Sequence, residues 1–279
     1  MGTDTDSKKI RLIVNADAFG TSRSTNRAIE RAHREGILTS ASLVVTGSQS
    51  DEAVELAKRN PQLGVGLHLV LVRGRSVLKG TELNGLVSPH QEFNDSALLA
   101  GFSYLVSPGL RAPIRQEIDA QIKRFRQTGL PMDHVNGHLN FHVHPTAFDA
   151  IRRDYHKWGI SRVRVPRDPL LTNLRMAWGR YFYRLSKSLT YSGLARRTVG
   201  PLERRGIKHT DLVFGLLQRG RMDEKYLLRL VENLFPGTFE VYLHPDEDEH
   251  AHELEALLSP NVRALIQERG IELVRYQDL

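Results

Sequence analysis

Along nearly its whole length this chain alternates short apolar runs with amphipathic stretches of helical period, and that alternation restricts the fold more than any other feature. The first run, Ile10-Arg11-Leu12-Ile13-Val14-Asn15, is rich in β-branched residues and ends on polar ones, as a buried strand does. Residues 21–34 place Ala28, Ile29 and Ala32 on one helical face, with Gly36 as a stop. Further strands are predicted at 42–45, 64–71, 133–135, 162–165, 239–243 and 271–274. Helices are predicted at about 51–59, 113–127, 145–158 and 222–234, and from 249 onward. Residues 73–111 carry scattered Gly, Pro and Asn without sustained period, which predicts loops and short helices. Such alternation builds a parallel α/β sheet, open or closed into a barrel. It is read here as one domain over about 10–275, with a helical insertion at about 169–202.

With 279 residues, 40% of them hydrophobic and 25% charged, the chain has the make-up of an ordinary globular protein. It has no cysteine, which excludes thiolate zinc sites and cysteine nucleophiles. Any metal must therefore be held by His, Asp, Glu or water. No apolar run reaches the ~18 residues a membrane span needs. The opening MGTDTDSKK lacks the apolar stretch of a secretory signal, so a cytoplasmic location is expected.

In parallel α/β sheets, ligands gather at the carboxyl ends of the strands. That rule selects Asn15–Asp17, His68, Asn136–His138, Arg164 and His244. Four of the twelve histidines fall in D-H-V-N-G-H-L-N-F-H-V-H-P, residues 133–145, a density that suggests metal binding. The alternative is a set of surface and supporting histidines. His68 lies in the apolar G-V-G-L-H-L-V-L; a satisfied core histidine is the plain reading, weakened by Gly64 and Gly66, which mark close approach of a ligand or another backbone. Asp17, in N-A-D-A-F-G, suits a metal ligand or general base, and equally a helix cap. Arg164 suits an ion pair that keeps Asp17 charged, a substrate contact, or a plain surface salt bridge.

N-A-D-A-F-G, G-I-L-T-S-A-S-L, G-V-G-L-H-L-V-L and D-H-V-N-G-H-L-N-F-H-V-H-P, in that order, resemble the successive motifs of the YdjC-like carbohydrate deacetylases. G-L-H-L-V-L-V-R-G-R, T-G-L-P-M-D-H-V-N-G-H-L-N-F-H and V-R-V-P-R-D-P are similar to the hopanoid-biosynthesis-associated branch. The resemblance implies a distorted, incomplete (β/α)-barrel and hydrolysis of an N-acetyl group on an amino sugar with a divalent metal, zinc first and Mg2+ or another ion next. It implies His68 and His138 as metal ligands and Asp17 as the base that deprotonates the attacking water. His244 is the candidate acid for the leaving amine, with Asn136 and His142 near substrate. The family's opening motif reads N-A-D-D-F-G, its second Asp binding metal; this chain has Ala18 there, and a methyl group cannot coordinate a metal. The other motifs are intact, which favours a deliberate inactivating substitution over a natural pseudoenzyme.

The formal charge of +7 has a local source. From Pro169 to Leu202 there is no Asp or Glu, while Arg175, Arg180, Arg184, Lys187, Arg196 and Arg197 are all present. Residues 174–197 interleave these cations with aromatics including Trp178 and Tyr181, both expected to touch substrate. That composition suits a helix lying on an anionic membrane at its inner face, although a basic-rimmed helix packed on the barrel also fits. No nucleic-acid motif accompanies the charge. The implied substrate is an N-acetylglucosaminyl hopanoid; a soluble chitooligosaccharide deacetylase and a lipid- or carbohydrate-binding pseudoenzyme are the alternatives. Nothing in the sequence points to a subunit number.

Overall fold

The computed structural model describes residues 9–83 and 85–279; the opening stretch read above for a leader lies largely outside them. The expected alternation is present. Strand β1 (Ile10–Phe19) is followed by α1 (Arg23–Glu35), β2 (Ser40–Leu43), α2 (Ser50–Arg59) and β3 (Gly64–Leu69). Next come α3 (Ala97–Val106), α4 (Arg111–Gln127) and β4 (Val135–Gly137), then a 3-10 turn (His138–Val143) and α5 (Pro145–Asp154). The insertion is α6 (Leu170–Met176) and α7 (Tyr181–Glu203). Strand β5 (Leu212–Phe214), α8 (Glu224–Asn233), β6 (Gly237–Leu243), α9 (Ala251–Leu258), α10 (Pro260–Glu268) and β7 (Glu272–Leu273) complete the chain.

All strand pairs are parallel, in the order β4-β3-β2-β1-β6-β5. Strand β7 pairs with the first half of β1 at Arg11 and Leu12, on the edge whose second half pairs with β2. The sheet curls into an incomplete barrel. Residues 162–165, expected as a strand, make only the bridges Val135↔Val163 and Arg162↔Lys208. Pro166 and Pro169 follow at once and cannot donate to a ladder, so regular pairing stops there. The segment still spans the opening between β4 and β5, since Val213 N donates to Arg167 O at 3.0 Å.

Two expectations need correcting at element level. The helix expected from 249 is split by Ser259-Pro260, where Ser259 accepts from Val262 N to cap α10. Strand β5 had no advance signal, because three residues carry too little periodicity to read.

Alternation along the strands sorts the side chains into two environments. One face meets the helices and forms the apolar core, with Leu12, Val14 and Ala16 of β1 fully buried in it. The inward face is polar near the carboxyl ends: Asn15 and Asp17 on β1, Ser42 on β2, His68 on β3, Asn136 on β4, and Glu240 and Tyr242 on β6 followed by His244.

Candidate active site

Between Ala16 and Phe19 the register of β1 against β2 slips by one residue, a β-bulge. Ala18 occupies it with φ +70°, a left-handed conformation that Asp and Asn adopt more readily than Ala. Its carbonyl accepts from Thr21 N at 3.2 Å and Thr21 Oγ1 at 2.8 Å, which pins the turn. Bulges of this kind re-aim side chains beside active sites. Here Asp17 is directed into the barrel mouth.

Asp17 is buried yet well supplied with donors. Arg164 grips it by a fork, Nη1 to Oδ2 at 2.8 Å and Nη2 to Oδ1 at 2.9 Å. Asn15 and Asn136 donate to Oδ1 at 2.9 and 3.1 Å. Burial alone would raise the carboxyl pKa, but the Arg164 guanidinium outweighs it and holds Asp17 well below the usual carboxylate range. Arg164 is itself fully buried. Its other donors go to Glu240, Nε to Oε1 at 3.0 Å and Nη2 to Oε1 at 2.6 Å, and its guanidinium lies 4.2 Å from the Tyr242 ring centroid. That burial rules out a surface salt bridge, and Arg164 stands behind Asp17, outside the pocket lining.

The same network sets the tautomer of His68. The amide nitrogen of Asn136 donates to Asp17 and to Ser42 Oγ, the latter at 2.7 Å, so its oxygen faces His68 Nδ1 at 2.8 Å. Nδ1 must then carry the proton, and Nε2 is left with a free lone pair. The ring of His138 stands edge-on to it, centroids 5.8 Å apart. Desolvation lowers the pKa of His68, and pushes His138 and His244 down to about 3, so all three are neutral at physiological pH. His244 Nε2 lies 4.0 Å from Asp17 Oδ2.

These groups line one pocket. Asp17, His68, His138 and His244 form its floor, with Tyr242 between. Its wall comes from Tyr183, Lys187 and Tyr191, at i, i+4 and i+8 on α7, and from Arg219. The turn bearing His138 is strained, with Leu139 at φ +50° and Asn140 at φ +57°, and Tyr191 OH donates to Leu139 O at 2.7 Å to hold it.

Four residues expected near substrate lie outside this pocket's lining. Asn136 and His142 are fully buried outside the lining, His142 bonding Arg164 O through Nε2 at 2.8 Å. Trp178 and Tyr181 point outward, 83% and 54% exposed: Trp178 precedes α7, and Tyr181 at its start lies off the face carrying Tyr183, Lys187 and Tyr191, which meets the pocket. A helical-period count within 174–197 would have separated those faces. Gly64 and Gly66 do mark a close approach, but of neighbouring side chains. A Cβ on Gly66 would stand 2.5 Å from the His134 ring, and one on Gly64 2.8 Å from Asp133 Cγ. Asp133, His134 and Ser42 form a buried chain with contacts of 2.9 and 3.0 Å that ends against Asn136.

The residues present do not complete a metal site. Two imidazoles converge, but Ala18 presents a methyl group, and among the described residues no three metal-ligating side chains are grouped so as to hold a metal ion.

Residues 11–268 match the family model for YdjC-like protein. A carbohydrate deacetylase of Mus musculus is 30% identical, over 97% of this chain and 95% of the mouse protein. One from Geobacillus stearothermophilus is 27% identical, over 95% of this chain and 96% of its own length. Among solved structures, an Enterococcus faecalis protein described as a cellobiose-phosphate cleavage protein matches in fold with a TM-score of 0.73 at 23% identity, over 97% of this chain and 98% of that one.

Proposed function

This chain belongs to the YdjC-like family, and from that premise we propose that it is built as a carbohydrate deacetylase, hydrolysing the N-acetyl group of an amino sugar. The observation that carries the reading is one pocket in which an ionised carboxylate and three neutral imidazoles face each other at the strand ends. Amide hydrolysis needs a base for water and an acid for the leaving nitrogen. Asp17 is the base, kept charged by Arg164. His244 starts unprotonated, so it serves as the acid only after a proton reaches it. The proton that Asp17 takes from water is passed to His244 from Oδ2, 4.0 Å away, through one bridging water. His68 and His138 present neutral nitrogen to the other side of the substrate amide.

The finer reading follows the hopanoid-associated motifs. The substrate is an N-acetylglucosaminyl hopanoid, converted to the glucosaminyl form, and residues 174–197 hold the protein on the inner face of an anionic membrane. Exposed Trp178, Phe182 and Leu189 support that placement, and no helix among the described residues is long and apolar enough to cross a membrane. Catalysis is dependent on a divalent ion, zinc before Mg2+, and the protein with Ala18 is impaired for want of the third ligand.

Acetate release from N-acetylglucosaminyl hopanoid and from chitobiose, by this chain and by Ala18→Asp with added zinc, tests the reading. Activity confined to Ala18→Asp is expected, with zinc retained on dialysis only by that variant. Inertness of both proteins on both substrates would replace the enzyme with a binding protein.

A further inference from the structure

Helix α3 is built inside out. Its sequence, ALLAGFSYLV, contains no charged residue, yet Leu98, Leu99, Phe102, Leu105 and Val106 are 52–87% exposed while Ala100 is buried. Its orientation is locked. The OH of Tyr104 donates to Leu71 O at 2.8 Å, Thr146 Oγ1 donates to Tyr104 O at 2.6 Å, and His144 Nε2 meets Gly101 O at 3.0 Å. Rolling the helix to bury Phe102 would break all three.

The exposed large apolar side chains of this protein are concentrated in two places. Five are on α3, six lie between Leu171 and Leu189, and only Phe235 and Leu273 lie elsewhere among the described residues. The two helical segments share a support. Helix α3 packs on the turn carrying His138 through Tyr104 and Phe141, and α7 reaches the same turn through Tyr191. Both thus pack on the turn that carries His138, and α7 also supplies the pocket wall of Tyr183, Lys187 and Tyr191.

Charge identifies the occupant. From Ser96 to Gln116 there is no Asp or Glu; Arg115 is taken up by Asp154, but Arg111 is exposed, as are Arg175, Arg196 and Arg197 in the equally acid-free stretch from Pro169 to Leu202. A second copy docked face to face would set these cations against themselves. An anionic bilayer would complement them and take up the apolar side chains.

We propose that α3 is a second membrane-inserting element, which together with α7 seats the pocket mouth on an anionic lipid surface. This rests on the membrane reading of residues 174–197 and adds an element that the sequence did not single out. Because the chain has no cysteine, Phe102→Cys takes a single environment-sensitive fluorophore. Vesicles of phosphatidylcholine with phosphatidylglycerol should shift its emission to the blue, and phosphatidylcholine alone should shift it far less. In flotation, Leu99→Gln/Phe102→Gln should lower the bound fraction by roughly tenfold, as should Phe182→Gln/Leu189→Gln. Unchanged circular dichroism of these surface variants would show that they fold. An α3 variant that floats like the parent while the α7 variant does not would overturn the role of α3 and leave the α7 reading standing. A parent protein that binds neither vesicle would overturn both, leaving the deacetylase reading to acetate release from chitobiose. A dimer in sedimentation that Phe102→Gln dissolves would assign the face to a second copy instead.

Discussion

Replacing Arg164 by Met probes the centre of the site, because one guanidinium there serves two buried carboxylates. In the native protein it makes five hydrogen bonds, two to Asp17 and three to Glu240. Without it Asp17 Oδ1 loses Nη2 but keeps the donors on Asn15 and Asn136, while Oδ2 loses the Nη1 bond that the fork supplied. Glu240 Oε2 keeps the Tyr276 hydroxyl, while Oε1 loses Nε and Nη2. Removing one partner of a buried ion pair costs about 3–5 kcal/mol, because the other charge is left uncompensated. Against a typical domain stability of about 5–15 kcal/mol, Arg164→Met should still fold but unfold at markedly lower urea. The diagnostic is non-additivity. If stranded charge causes the loss, then Asp17→Asn/Arg164→Met/Glu240→Gln must be more stable than Arg164→Met alone, although it carries two further substitutions. Equilibrium urea unfolding at pH 7, followed by circular dichroism, gives both numbers. A loss below about 1 kcal/mol in the single variant, or a triple variant weaker than the single, would refute the reasoning.

Three further outcomes follow from other parts of the structure. Asp168 is buried and its carboxyl is pushed up to about 7, because desolvation outweighs the bonds from Leu217 N and Asn173. The folded state then holds a proton that the unfolded state has released, so this group makes stability fall as pH rises from about 4 to 7, by up to ~1.4 kcal/mol per pH unit. Asp168→Asn should flatten that slope in urea midpoints taken across the window; parallel curves would reject it. Gly66→Ala should cost about 1–3 kcal/mol by pushing against His134, and a thermal midpoint equal to the parent's would show that the ring gives way freely. Ala18→Gly should gain up to about 1 kcal/mol in the same assay by relieving the positive φ, whereas a loss would mean that the bulge is unstrained.

Much of the site was legible in the order of residues. Apolar runs ending in polar residues announce strands, and carboxyl ends of parallel strands are where chemistry collects, so Asp17, His68, His138 and His244 could be selected without coordinates. Spacing of two along a strand also places Asn15 with Asp17 and Glu240 with Tyr242 on one face. The departure at Ala18 is a matter of composition alone.

Other features depended on how distant segments meet. Arg164 lies 147 residues from Asp17 and 76 from Glu240, and only a curled sheet with β1 beside β6 brings all three together. The bulge that aims Asp17 exists because β1 has one residue more than β2 can pair. Segment 174–197 read as a single basic-aromatic stretch; its division into a pocket wall and an outer face follows from packing on the turn that carries His138. Helix α3 was legible only as part of an irregular stretch; that its Leu98, Leu99, Phe102, Leu105 and Val106 face solvent while Ala100 and Tyr104 face inward is decided by packing. Local periodicity reports which residues share a face. Which face meets water, which meets a partner and which charges neutralise one another are settled only when the barrel closes.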